Sequence, residues 1–473
     1  MKVLLVNAYE SPRLTAGHYS RFLRTMPPIS IAYVAAALEK AGIPVAFYDD
    51  HLQRGERKAF FDVLRRERPS LVGFSVVTPM AQGLFDLAGA IRKFDPSLGI
   101  IMGNIHADIF AERILEKGMA DYVVHGEGEI TAPELVSALE SGGDLSSVRG
   151  ISFRANGKVR TTSPRPFIED LDSLPFPAWH LFPIERYEIF NFASCKRPGA
   201  LILGSRGCPY KCTFCCLKIM GERRRKRSPG NIADEAQWLH ERFGYRQISF
   251  TDPIFPMTKK EGLAFCRELV SRGLHRKLVW ITETRVDLVD LELLSAMREA
   301  GLRRIMYGFE AGSPEGLESI QKHASLQAAR HAVEITRRAG LEIIGFFMLG
   351  VPGDSRRSIE RTIAFAKELD IDFAKFTVFS PFPGTKVYEQ LLAQGKIPDT
   401  EQWERFTNYP SRTNPPIYLP EGIDLKDIIG YQRKALLAFY LRPKILARHL
   451  FKIRTLGLRD VFGGLASLVS VFR

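Results

Sequence analysis

Long apolar runs are missing from this 473-residue chain. The longest candidate, residues 461–472, falls short of the roughly 20 apolar residues that cross a bilayer, so no membrane span is expected. Met1 leads straight into an apolar strand-like run, so no secretory leader is expected either. Cysteine is scarce at six residues, which excludes a disulfide framework. Internal repeats and low-complexity tracts are absent, which excludes solenoid and disordered classes. Acidic residues number 53 against 66 basic ones, for a net charge of +13. Much of the excess is local: from Arg433 to Arg473 nine Lys or Arg face one acid, Asp460. With 45% hydrophobic residues, the chain is long enough for two cores and a tail.

What cysteine there is sits together. Cys208, Cys212 and Cys215 lie in the run Arg206-Gly-Cys-Pro-Tyr-Lys-Cys-Thr-Phe-Cys-Cys216. Three thiolates this close can hold three corners of a cubane 4Fe-4S cluster, leaving one iron open to a small chelating molecule. Structural zinc is the alternative reading. It takes four ligands, commonly as two separate pairs, and no second pair is present. Cys216 would have to share an ion with its neighbour Cys215, from which its side chain diverges, and Cys195 and Cys266 stand alone.

After the cysteines, short apolar runs alternate with helical patterns, which predicts βα units and a parallel sheet. Strands are expected at 201–203, 247–251, 278–282, 304–309, 342–349 and 373–379, with helices between them. Six such units make a partial barrel of the TIM type, with its chemistry at the carboxyl ends of the strands. The first part repeats the rhythm, with strands expected at 2–7, 45–48, 71–75, 100–103 and 122–124. It reads as a doubly wound, Rossmann or flavodoxin-like parallel sheet whose ligands sit beyond the strand ends. The fold class is therefore α/β: a doubly wound domain over 1–144, a linker with a hairpin over 145–197, a partial (β/α)6 barrel over 198–395, and a basic, mainly helical extension over 396–473. The hairpin signal is Asn156-Gly157, and prolines punctuate the rest of the linker.

The Cys-x3-Cys-x2-Cys spacing, with the aromatic Phe214 before the last cysteine, resembles the signature of the radical S-adenosylmethionine enzymes. The loops after the later strands resemble, in order, those of a large subgroup: Thr251-Asp252-Pro253, Glu283-Thr284-Arg285, Gly308-Phe309-Glu310-Ala-Gly-Ser313, Gly350-Val-Pro-Gly353-Asp354 and Ser380-Pro-Phe-Pro-Gly-Thr385. The segment Pro27-Pro28-Ile-Ser-Ile-Ala-Tyr-Val-Ala-Ala-Ala-Leu38 is similar to the cobalamin-binding domain that precedes the barrel in one subgroup. So are the loops Ser75-Val-Val-Thr78, Gly103-Asn104 and Gly126-Glu127-Gly128-Glu129. Together the resemblance covers roughly residues 1 to 395.

The resemblance implies a 4Fe-4S cluster on Cys208, Cys212 and Cys215 that cleaves S-adenosylmethionine reductively, and a reducing partner such as flavodoxin or ferredoxin. Phe214, Asp252, Arg285 and Glu310 become S-adenosylmethionine residues. Asp252 suits a substrate ammonium, Arg285 a carboxylate and Glu310 ribose hydroxyls. The alternative for Asp252 and Glu310 is capping of the following helices. Gly350 and Gly353 are read as backbone-shaping residues. Ser75, Thr78, Gly103, Asn104, Gly126, Glu127 and Gly128 become cobalamin residues. The Asp-x-His-x-x-Gly pattern that supplies a cobalt ligand in other cobalamin proteins is missing. Asp49-Asp-His51-Leu-Gln-Arg-Gly55 has one residue too many before the glycine and follows the second strand, so cobalamin is expected without a protein histidine. His51 is read as a surface residue and His106 as a hydrogen-bonded structural one.

The activity expected is methyl transfer to an unactivated carbon of a small hydrophobic or anionic substrate, such as a tetrapyrrole, an isoprenoid lipid or an antibiotic-type metabolite. An oxidative cyclisation of the anaerobic magnesium-protoporphyrin ester cyclase type is the second reading, and tRNA modification the third. A non-enzymatic iron-sulfur scaffold or redox sensor is the fourth. The basic run Arg223-Arg-Arg-Lys-Arg227 raises nucleic acid, but lacks the interleaved aromatics of single-strand binders, so nucleic acid is not the expected partner. A cytoplasmic location is expected. The basic tail is suited either to peripheral contact with the inner membrane face or to capping the barrel opening.

Overall fold

The computed structural model describes residues 1–9, 26–187 and 194–451. Two parallel sheets organise the chain. The first contains β1 (Val3–Asn7), β2 (Val45–Asp49), β3 (Leu71–Ser75), β4 (Gly99–Gly103), β5 (Tyr122–Val124), β6 (Ile151–Ala155) and β7 (Lys158–Thr161) in the order β2-β1-β3-β4-β5-β6-β7. β1 to β5 are parallel, and the reversal of order beside β1 makes the crevice that open α/β sheets use for ligands. The apolar strands are buried because helices such as Ile29–Lys40 and Ala81–Phe94 cover the two faces.

The hairpin β6–β7 forms at Asn156-Gly157, where Asn156 takes φ +53° and Gly157 φ +76°, as a tight hairpin turn demands. It does not stay in a linker. β6 pairs antiparallel with β5 and extends the first sheet. The proline-punctuated segment behind it lies against the first domain: Ala178 N donates to Ala32 O at 3.0 Å, and Trp179 is fully buried.

The second sheet is β8 (Gly199–Ile202), β11 (Gln247–Phe250), β12 (Val279–Thr284), β13 (Leu302–Glu310), β14 (Glu342–Leu349) and β15 (Phe373–Val378), all parallel, in the order β15-β14-β13-β12-β11-β8. It is the six-unit partial barrel, with no closure between β8 and β15 among the described residues. A two-stranded ribbon, β9 (Ser205–Arg206) against β10 (Arg225–Lys226), closes the base of the cysteine loop.

The carboxyl-terminal extension departs from expectation in its first part. Residues 396–424 form no α-helix and run back over the first domain, where Trp403 packs edge-on to His106, with ring centroids 4.6 Å apart. Lys117 and Arg113 pair there with Glu401 and Asp399. The proline and glycine content of this stretch explains the lack of helix. Helix Leu425–Tyr440 then covers the outer face of β15, with Gln432 donating to Phe376 O at 3.0 Å and the Tyr440 hydroxyl donating to Ala374 O at 2.9 Å. Most of the tail read as a membrane or capping segment, residues 452–473, lies outside the described residues. No helix among the described residues is long and apolar enough to cross a membrane.

Candidate functional site

The cysteine loop leaves β8 and is shaped from its first residues. Gly207 has φ +82°, and a Cβ there would lie 2.4 Å from Arg223 O and 2.8 Å from Gly221 O, so only glycine fits. Cys208 N then donates to Gly221 O at 3.2 Å, and Cys215 N to Cys212 O at 3.2 Å. Thr213 N reaches Ile320 O at 3.0 Å, which anchors the loop to the turn after β13. Cys208 is buried, and Cys212, Cys215 and Cys216 are half-buried. Burial pushes the Cys212 thiol up, while Lys322 and Arg285 pull it down, so two cations favour the thiolate that a metal ligand requires. No three His, Cys, Asp or Glu side chains among the described residues converge at the spacing of a single ion. The donor set, three soft thiols on one tight loop with cations facing it, fits the corners of a cluster.

Around this loop, the residues expected to meet S-adenosylmethionine separate into two groups. Glu310 and Phe214 face the loop mouth. A register shift on β13 between Gly308 and Glu310 turns the Glu310 carboxylate inward, with φ +65°, to accept from Lys322 Nζ at 3.0 Å. Gly308 makes room for this pair, since a Cβ there would sit 2.9 Å from Lys322 Nζ. Phe214 lies with its ring centroid 6.0 Å from the same ammonium.

Asp252 and Arg285 are engaged within the protein instead. The buried Asp252 carboxylate accepts from Gly204 N at 2.8 Å and from the Ser205 hydroxyl, and burial lifts its pKa to about 7. Arg285 donates to both oxygens of Asp287, at 2.9 and 3.0 Å, and to the carbonyls of Lys322 and His323. Its guanidinium also stacks 3.8 Å from the Tyr210 ring, stapling the cysteine loop to the 322–323 turn. Neither acid caps a helix, because Thr258 and Ser313 take those positions.

A cavity of about 370 Å³ opens at the crevice of the first sheet. Ser75, Gly103, Asn104, Gly126, Glu127 and Gly128, read from the sequence as cobalamin residues, line it together with apolar Leu5, Val34, Ile101 and Val124. Asn104 holds its own turn, donating to Ser75 Oγ at 2.9 Å and accepting from Ile105 N. Thr78 is not in the lining. Its hydroxyl is buried against His106 Nδ1 at 3.2 Å, and the surrounding Phe110 and Trp403 rings hold the imidazole neutral, with its pKa lowered to about 3. His51 is half-buried rather than on the surface, packed beside Tyr9, and burial lowers its pKa. Neither histidine is among the lining residues.

Arg206, Ile219 and Met220, which flank the three cysteines in the chain, line the far wall of this cavity. Arg206 donates to Glu127 at 2.8 Å and pairs with Glu129, and Arg225 donates to both oxygens of Glu127 at 2.8 Å. Ile168 N adds a further 2.7 Å donation to Glu127. The Glu127 carboxylate is thus consumed by a buried ion cluster joining the two domains, and the expected direct role gives way to a structural one. Alternation along β10 explains the basic run: Arg225 and Arg227 point inward to Glu127 and Glu235, while Lys226 points out. Arg224 pairs with Glu261, and the exposed Arg223 pairs with Glu169.

The sequence reading assigned no role to Lys322 or Lys375, and none to Arg206, Glu129 and Glu283 although they lie in loops it singled out. Strand alternation could have marked Lys375 and Glu283 as inner-face residues. Burial and the nearby Glu310 together lift the Glu283 pKa to about 7, against the opposing pull of Lys322 and Lys375.

Comparison with known proteins gives three findings. A model of the radical SAM superfamily matches residues 202–366, and a model of the B12 binding domain matches residues 20–136. The chain is 32% identical over 430 residues to an uncharacterized methyltransferase of Pyrococcus horikoshii, covering 90% of this chain and 91% of that one. It is 26% identical over 426 residues to the anaerobic magnesium-protoporphyrin IX monomethyl ester cyclase of Cereibacter sphaeroides, covering 89% of this chain and 68% of that one. Among solved structures, the radical S-adenosylmethionine methyltransferase TsrM from Kitasatospora setae, with cobalamin and a 4Fe-4S cluster bound, superposes with a TM-score of 0.71 at 18% identity. The superposition covers 94% of this chain and 89% of that one.

Proposed function

Because the chain belongs to the radical S-adenosylmethionine superfamily and carries a B12 binding domain ahead of it, we propose that it is a cobalamin-dependent C-methyltransferase acting on a small molecule. One observation carries the reading: Arg206, Ile219 and Met220, which flank Cys208, Cys212 and Cys215 in the chain, line the first domain's cavity. The two cofactor sites therefore adjoin, as a reaction that uses both requires.

Cys208, Cys212 and Cys215 would hold a 4Fe-4S cluster, and Ser75, Gly103, Asn104, Gly126 and Gly128 would seat a corrinoid without a histidine ligand. When bound, these groups supply an electron for splitting S-adenosylmethionine and a methyl group for transfer. The remaining work belongs to the chain. Glu310 accepts from ribose hydroxyls, and Phe214 walls the cluster side. Asp252 and Arg285 act as positioning residues that hold the loops on either side of the cysteines. The apolar cavity lining and the Arg206–Glu127–Arg225 cluster exclude water between the domains. A small one-electron donor such as flavodoxin or ferredoxin would supply reducing equivalents. The substrate would be a tetrapyrrole, isoprenoid or antibiotic-type metabolite.

The likeness to the cyclase favours a second reading, oxidative ring closure, in the same cleft. Anaerobic reconstitution with iron, sulfide and cobalamin, then reduction in the presence of methyl-labelled S-adenosylmethionine, tests the proposal. Formation of 5'-deoxyadenosine, with label passing into an acceptor from a metabolite extract, is the expected result. An unlabelled product carrying oxygen from water would favour ring closure. No 5'-deoxyadenosine from cluster-loaded protein would refute both readings.

A further inference from the structure

The inner face of the second sheet is not filled. Outward residues of β13, β14 and β15, such as Phe309, Phe347 and Phe376, are fully buried under helices and stack on one another. Their inward neighbours Met306, Phe346, Met348, Lys375 and Thr377 remain part-exposed. In a packed (β/α) barrel the interior is layered with side chains and closed. Here two methionines, a phenylalanine and one ammonium on the inner face keep part of their surface exposed.

Lys375 is the unusual member. Strand register sets it directly beside Phe346, which in turn lies beside Gly308, the residue under the Glu310–Lys322 pair. Two strand spacings, about 10 Å, therefore separate Lys375 from the pair at the cluster mouth. Its Nζ lies 5.9 Å from the Phe346 ring centroid and 6.0 Å from that of Tyr409, which the carboxyl-terminal extension brings over the sheet. Among the described residues no hydrogen bond or ion pair engages that ammonium, whereas Lys322 pairs with Glu310 and Arg304 with Glu342 on the same inner face.

We infer that Lys375 is the specificity residue of the substrate site, and that the lumen takes an amphiphilic anion, its carboxylate or phosphoryl head on Lys375 and its apolar part against Phe346, Met306 and Met348. The inference deepens the methyltransferase reading and rests on it. Charge balance supports it. The Glu310–Lys322 pair is neutral in sum, and Glu283, the other carboxyl facing Lys375, is pushed up to about 7 and so carries only part of a charge near neutrality. Among the described residues one cation is left without a counter-ion, beside the Phe346 and Tyr409 rings, and an arriving anion would supply one. Glu283, when protonated, offers the same head group a donor.

Equilibrium dialysis tests this with cluster- and cobalamin-loaded protein and three probes of one shape: phenylphosphonate, benzoate and the neutral benzyl alcohol. The expected result is saturable binding of one equivalent of at least one anion, at least tenfold tighter than the alcohol. The preferred anion identifies the head group as phosphoryl or carboxylate. Lys375→Met should remove the anion preference and leave the alcohol unchanged, and Lys375→Arg should restore it to within about threefold. Equal binding of all three probes by the wild-type protein, or a preference that survives in Lys375→Met, overturns the inference. If Lys375→Met does not fold, the wild-type contrast and the Arg variant still decide. No anion preference in the wild-type protein, with 5'-deoxyadenosine still formed, sinks this inference alone. Anion preference without 5'-deoxyadenosine sinks the functional reading alone.

Discussion

The first sheet and the second are built from the same βα rhythm and end in opposite surfaces. In the first, helices cover both faces, and the crevice beyond the strand ends holds a cavity whose lining carboxylates, Glu127 and Glu129, are already paired. In the second, helices cover the outer face alone, and the inner face keeps half-exposed Glu283, Phe346 and Lys375. On the proposed reading, the first region would seat the corrinoid and the second would admit S-adenosylmethionine and the substrate.

Two substitutions should separate the regions most sharply. Cys212→Ala should reduce 5'-deoxyadenosine formation to background and cut iron content, while corrinoid retention persists; metal and corrinoid analysis of one sample checks both. Gly103→Leu should do the reverse. A Cβ at Gly103 meets only Val124, at 3.4 Å for the carbonyl oxygen, so a leucine enters the cavity without breaking β4. Corrinoid per chain should fall at least tenfold with iron unchanged. Coupled loss of both cofactors in either variant would break the comparison.

Next in size is the seam that ties the extension to the first sheet. Trp403 is buried against His106 and Phe110, so Trp403→Ala should destabilise the protein by about 3–5 kcal/mol, read as a fall in Tm.

A smaller, pH-dependent effect belongs to the chamber. The Glu283 carboxyl is raised in the folded protein to about 7, above its ordinary value. Its contribution is therefore full below about pH 4.5 and is lost as pH rises through 7. Wild-type Tm should fall relative to Glu283→Gln across that window, by the equivalent of about 1–3 kcal/mol. Parallel curves for the two proteins would remove Glu283 from the chamber's charge balance. The smallest effect concerns the basic run: Lys226→Ala, on the exposed side of β10, should change stability by no more than about 0.5 kcal/mol, in contrast to its buried neighbours.

Much of this plan was readable from residue order because it is local. Periodicity located the strands of both sheets to within a few residues, and the cysteine spacing pointed to the loop. Gly126 and Asn104 were placed at the crevice by their position just past predicted strands, and both take positive φ. What stayed hidden depends on residues far apart in the chain. Glu127 meets Arg206 across 79 positions, and no pattern near either one signals the pairing. The hairpin's attachment to β5 and the return of Trp403 to His106 are equally non-local. Thr78 and Asp252 were misread for a related reason. Each sits at a strand end where ligands gather, yet its hydrogen-bonding capacity is taken up by a partner from a neighbouring loop.

The most direct test of the account is electron paramagnetic resonance of the reduced, reconstituted protein before and after S-adenosylmethionine is added. A cluster held by Cys208, Cys212 and Cys215 with one iron open should shift its g values, and a labelled amino nitrogen should show hyperfine coupling to it. A spectrum indifferent to S-adenosylmethionine, or a single tetrahedral zinc in place of the cluster, would contradict it.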